Sequence, residues 1–107
     1  MKYRISERMK SIINNLHIEA VALNSLKQYE NTIKTANIKV YKDGFLTIET
    51  INDLRKAVQE CLTSPMNVSV GLWQNHLSDV FNLLKSCDKA ILNDGDDDIK
   101  AVYDWED

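Results

Sequence analysis

Asp94, Asp96 and Asp98 recur at a spacing of two, which matches the first three ligands of a calcium-binding helix–loop–helix. Such a loop also needs glycine at its sixth position, for the sharp turn, and a bidentate glutamate at its twelfth. This chain has Ile99 and Trp105 there, so the spacing predicts no dedicated calcium site. His17, Cys61, His76 and Cys87 are the candidate zinc ligands. None forms a close local pair of the kind that nucleates a zinc site. Both cysteines sit in apolar periodic stretches, so they read as buried free thiols of a reducing compartment rather than as ligands or a disulfide. No metal or other cofactor is expected.

Covalent and acid–base chemistry find equally little support. Gly44, Gly71 and Gly95 are isolated, which excludes a glycine-rich phosphate loop. No nucleophile-elbow or zinc-protease motif occurs. His76 and Asp79 fall three residues apart and could hydrogen-bond on one helix face. The residues after His76, Leu77-Ser78-Asp79-Val80, lack the Lys-Gly that follows a phosphotransfer histidine. The expectation is a non-enzymatic protein.

Charge is the more informative property. The chain has 107 residues and a formal net charge of −3. That average hides a division after Asn93. Residues 94–107 hold Asp94, Asp96, Asp97, Asp98, Asp104, Glu106 and Asp107 against Lys100 alone, a net −6. The preceding 93 residues hold 9 acids and 12 bases, a net +3. Such asymmetry marks an interaction segment or a terminus that folds back on its own basic body. Tyr103 and Trp105 lie among the acids. Aromatic side chains of these types anchor interfaces, and clustered carboxylates steer a basic partner into contact. The candidate partner-binding residues are therefore Asp94, Asp96, Asp97, Asp98, Tyr103, Asp104, Trp105, Glu106 and Asp107. In the competing reading, Tyr103 and Trp105 pack into the domain's own core. Nucleic acid is a less favoured partner. Lys2, Arg4, Arg8 and Lys10, with Tyr3 among them, would form a basic N-terminal helix, but a body of +3 neutralises few phosphates.

The elements that must position these residues are mainly helical. Ser6 is a candidate N-cap with Glu7 in the first turn. Met9, Ile12, Leu16, Leu23, Leu26 and Ile33 then recur at helical spacing, beside a weaker stripe of Ile18, Val21, Ala22, Ser25 and Tyr29. This predicts a helix from Ser6 to about Lys34, continuous or broken near Asn15, followed by a connector at Thr35-Ala36-Asn37. Alternation around Asp43-Gly44 predicts a β-hairpin near residues 38–49; the competing reading makes Gly44 the residue that ends a helix. Thr50 with Asp53 would cap a helix over residues 50–63. Residues 66–72 fit strand or helix. Trp73, Leu77, Val80, Phe81, Leu84, Cys87 and Ile91 predict a helix over residues 72–92, stopped by Asn93-Asp94-Gly95. Ile99 to Trp105 read either as a short helix capped by Asp96 to Asp98 or as a strand with Ile99, Ala101, Tyr103 and Trp105 on one face.

The expected fold is mainly α, a small bundle of three to four helices with a minor hairpin (alternatively α+β), forming a single domain over 1–107. No apolar run approaches a membrane span, and the charged start does not resemble a secretory signal, so a cytoplasmic protein is expected. Richness in Asn, Ile and Lys fits an AT-rich bacterial accessory gene. The function expected from these readings is a bacterial immunity protein or antitoxin that occludes a basic, nuclease-like toxin. The alternative is a regulatory nucleic-acid-binding protein that uses the basic N-terminal segment.

Overall fold

A computed structural model describes residues 2–22, 29–63 and 77–103. Among them the chain forms β1 (Lys2–Ile5), α1 (Glu7–Ala22), α2 (Glu30–Asp43), β2 (Phe45–Thr47), α3 (Ile48–Thr63), α4 (Leu77–Leu92) and β3 (Ile99–Val102). The protein is mainly α with a minor antiparallel sheet. α1 packs on α2, α2 on α3 and α3 on α4, and α4 closes the ring against α1. The sheet has the order β2-β1-β3. Its inner face (Tyr3, Ile5, Leu46, Ile99 and Ala101) is buried in the same core as the helices.

α1 follows its periodicity. Met9, Ile12, Ile13, Leu16 and Ala20 are buried, and the Ser6 hydroxyl accepts the Met9 N–H at 3.1 Å, as an N-cap should. Two expectations for this region fail. Residues Lys2 to Ile5 form a strand rather than the lead-in to a basic helix. The helix also does not run on to Lys34, because α2 is a separate element that packs back on α1. Asn15 does not break α1. Of the weaker stripe, Ile18 is exposed; residues 23–28 lie outside the described residues.

The hairpin near residues 38–49 is replaced by the end of α2, and Thr35-Ala36-Asn37 is helix rather than connector. Ile33, Ala36, Asn37 and Val40 are buried at helical spacing, while Ile38 and Tyr41, which suggested a strand, are exposed. A type I′ turn needs φ > 0 at both central residues. Only Gly44 has it, at 77°, and its N–H bonds the Val40 carbonyl at 2.8 Å to close the helix. The minor β structure comes instead from β2, which pairs with β1 across the register Tyr3 to Leu46.

α3 starts two residues before Thr50. Thr47 is its cap, accepting the Thr50 N–H at 3.4 Å, and Thr50 is a buried first-turn residue whose hydroxyl accepts from Lys39 Nζ at 3.2 Å. Ile51, Leu54, Ala57 and Val58 form the buried face. Arg55 ties α3 to α4 through Asp88, Nε to Oδ1 at 2.6 Å.

α4 ends at Leu92, where Asn93-Asp94-Gly95 predicts. Its buried face runs through Val80, Leu83, Ser86, Cys87 and Ala90. This is rotated from the predicted stripe, for Phe81 is exposed and Leu84 and Ile91 are only half-buried. Residues 64–76, with the ambiguous stretch 66–72, lie outside the described residues. Of the two readings of the C-terminal segment, the strand is observed over Ile99–Val102, with Ile99 and Ala101 buried; it ends before Tyr103, and residues 104–107 lie outside the described residues.

Candidate functional site

The acidic segment begins where α4 stops and doubles back as β3. Gly95 adopts φ 89°, a conformation that a side chain disfavours, and its N–H bonds Asn93 Oδ1 at 3.2 Å. The Asp96 N–H then meets the Ile99 carbonyl at 3.0 Å, and the Ala101 N–H meets the Asp94 carbonyl at 2.9 Å. The loop thus lies along the outer edge of β3 and covers part of it, as edge strands require.

The carboxylates of this loop divide into two kinds. Asp96 is an internal fastener: Oδ1 accepts the N–H groups of Asp98 and Ile99 at 2.9 and 3.0 Å, and Oδ2 accepts from Ser86 Oγ at 2.9 Å. Asp98 joins the loop to the start of α1. Its Oδ1 accepts from Ser6 Oγ at 2.7 Å, its Oδ2 from Arg8 at 2.9 Å, and its carbonyl from the Ser6 N–H at 2.9 Å. The Arg8 hydrogen bond, with help from that of Ser6, holds the Asp98 carboxyl below its ordinary pKa. Asp98 in turn raises the Arg8 guanidinium, chiefly through the same hydrogen bond. Asp94 and Asp97 are the second kind. Both are exposed. Asp94 Oδ1 accepts the Tyr103 hydroxyl at 2.8 Å, and Asp97 makes no side-chain hydrogen bond among the described residues.

The predicted partner-binding set is therefore brought together in part. Asp94, Asp96, Asp97, Asp98 and Tyr103 gather at one end of the sheet, and Asp94, Asp96 and Asp97 line a shared cleft with Tyr103. Asp104, Trp105, Glu106 and Asp107 lie outside the described residues. Tyr103 is half-buried and braces Asp94. Sequence reasoning missed Ser86 and Arg8 as the loop's anchors. Ser86 had a signal, a small polar residue inside an otherwise apolar stripe. Arg8 had none, because its partner lies ninety positions away.

Asp94, Asp96 and Asp98 turn toward three different partners, and among the described residues no three His, Cys, Asp or Glu side chains converge as a metal-holding group. His17 sits on α1 with Nδ1 3.4 Å from Asn37 Nδ2. Cys87 is fully buried on α4, and burial pushes its thiol up to about 12. The Cys61 side chain and His76, with the predicted His76–Asp79 pair, lie outside what is described. Of the cations assigned to nucleic-acid contact, Arg8 is engaged by Asp98 and Lys10 by Glu7 at 2.9 Å, while Lys2 and Arg4 are exposed on the outer face of the sheet.

Comparison of the chain with protein-family models, with curated proteins and with solved structures returns no match. No described helix is long and apolar enough to cross a membrane.

Proposed function

We propose that this is a non-enzymatic binding protein that neutralises a basic, nuclease-like partner by covering its surface, as a cytoplasmic bacterial immunity protein or antitoxin does. One observation carries the reading: the loop of residues 94–98 is fastened through Asp96 and Asp98 while Asp94 and Asp97 face solvent. A pre-fastened loop loses little conformational freedom on binding, so more of the interaction energy appears as affinity. Exposed carboxylates also accelerate encounter with a surface built to hold phosphates.

The test is capture of proteins from a lysate of the source cells on the immobilised full chain, beside an Asp94→Asn/Asp97→Asn variant. The expected result is a basic nuclease-like protein retained at low salt, released as salt screens the charges, and lost with the double variant. The purified pair should then show the nuclease inhibited by the wild-type chain. Capture of the same protein by the double variant at unchanged salt dependence, or a captured nuclease that stays active, sinks the reading.

A further inference from the structure

The outer face of the sheet carries its own charge pattern. Arg4 of β1 stands directly opposite Lys100 of β3, and both side chains are exposed. Like charges in directly opposed sheet positions are destabilising. No described acid forms an ion pair with either cation. On its other side Arg4 faces Phe45 of β2, whose ring lies 5.0 Å from Lys2 Nζ. Beyond β2, Lys42 in the last turn of α2 and Lys39 one turn earlier, whose Nζ donates to the Thr50 hydroxyl, reach a groove of about 500 Å³ that Lys2, Asp43, Phe45 and Thr47 also line. At the opposite rim, Arg4 and Lys100 border a cleft of about 360 Å³ closed by the acidic loop. The register therefore sets Lys42 of α2, Lys2 and Arg4 of β1 and Lys100 of β3 along one face, with the Phe45 ring of β2 among them and carboxylates at both ends, Asp43 at one and the acidic loop at the other.

We propose that this face binds single-stranded nucleic acid, with phosphates at Lys42, Arg4 and Lys100 and a base against the Lys2–Phe45 pair. The like-charge pair is the main argument, since phosphates at Arg4 and Lys100 convert a cost of folding into a site. The ring decides between anions. Single strands are held by a cationic track with aromatic platforms for the bases, whereas an acidic peptide uses the cations and has no need of the platform. The chain's modest overall charge does not oppose this, because phosphates meet the local face rather than the average; Asp94, Asp96 and Asp97 share the cleft with Arg4 and Lys100 and bound the track on that side. The inference stands apart from the inhibitor reading and uses none of the residues that reading needs.

The probe is a labelled oligo-dT, and in parallel an oligo-U, of about 15 nucleotides, followed by fluorescence anisotropy with the full chain. Contact with three or four phosphates predicts that affinity falls roughly 20- to 50-fold between about 50 and 200 mM salt. Arg4→Gln/Lys100→Gln should weaken binding at least about tenfold at the lower salt and flatten the logarithmic salt slope by about 1.4. Lys56→Gln/Lys85→Gln, which removes exposed cations of α3 and α4, should leave both unchanged. The sheet variant should also keep or raise the urea midpoint, because it relieves a like-charge pair. The proposal is overturned if neither oligonucleotide binds at low salt or if the two double variants lose affinity equally. It is also overturned if polyglutamate of matched charge competes as well as unlabelled oligonucleotide, which would make the occupant an acidic peptide.

Discussion

Asp98 and Asp97 are adjacent aspartates with opposite roles. Asp97 meets solvent, while Asp98 receives Ser6 and Arg8 and so clasps the far end of the chain to the start of α1. The Ser6 hydroxyl serves both sides, donating to Asp98 and accepting from the Met9 N–H. Ser6→Ala should therefore lower stability by about 1 kcal/mol, the ordinary worth of an N-cap, as read from the urea midpoint. Asp98→Asn should cost less at neutral pH, because the Arg8 side chain is exposed and the pair is screened. Its signature is the pH dependence. The Asp98 carboxyl lies below its ordinary value in the folded protein, so the unfolded chain takes up its proton first as pH falls. The stabilisation is then complete above the ordinary carboxylate range, near pH 4, and disappears as pH drops through the lower folded value. Wild type and Asp98→Asn should differ at pH 7 and converge in strong acid; parallel curves would assign the clasp no electrostatic share.

At the scale of elements, what the sequence made legible was local, and what it concealed was long-range. The face of α1, the Ser6 cap, and the stop after Leu92 all follow from spacing and end chemistry within one turn or two. Residues 38–42 misled because Ile38, Val40 and Tyr41 favour strands intrinsically, a preference that tertiary packing overrides when Ile33, Ala36 and Val40 can share one buried helical face. The central strand was illegible for a different reason. Lys2 to Ile5 alternates over only four residues, and its partners lie at Phe45–Thr47 and Ile99–Val102. The candidate site was half legible: clustered acids and Tyr103 announced it, but Ser86 and Arg8 could be found only once the fold brought them near. Two glycines separate conformational from steric demand. At Gly44, φ is 77° and an added methyl meets nothing within 4 Å, so Gly44→Ala should cost about 1 kcal/mol, for backbone conformation alone. At Gly95, φ is 89° and the methyl would collide with the Ile99 carbonyl oxygen. Gly95→Ala should cost at least about 2 kcal/mol and loosen the loop along β3, seen as faster amide exchange at Asp96 and Ala101. Equal costs for the two variants would show that the loop does not depend on its contact with β3.

At the scale of the molecule, the acidic segment is both surface and core. Ile99 is fully buried and β3 pairs along the whole of β1. Deleting residues 94–107 should therefore abolish the cooperative unfolding transition and the near-ultraviolet circular dichroism, instead of leaving a folded body without its acids. A folded deletion product would mean that the described helices hold together without β3. Function is accordingly better probed by neutralising Asp94 and Asp97 than by truncation. The overall charge is likewise a poor guide to contact, because the fold sorts it into an acidic loop and a cationic sheet face that meet at one cleft.

The position of β1 in the middle of the sheet also constrains how the chain comes into being on the ribosome. Ile5 pairs with Ile99 and Lys2 with Val102, so the strand synthesised earliest among the described elements cannot be flanked on both sides until the one synthesised latest has emerged. At translation rates of about 5 to 20 residues per second, that interval is roughly 5 to 20 seconds. During it, α1, α2 and α3 can form on the nascent chain beside a half-satisfied strand, a state that invites pairing with a neighbouring nascent copy. Emergence of β3 is thus the event that closes the described fold.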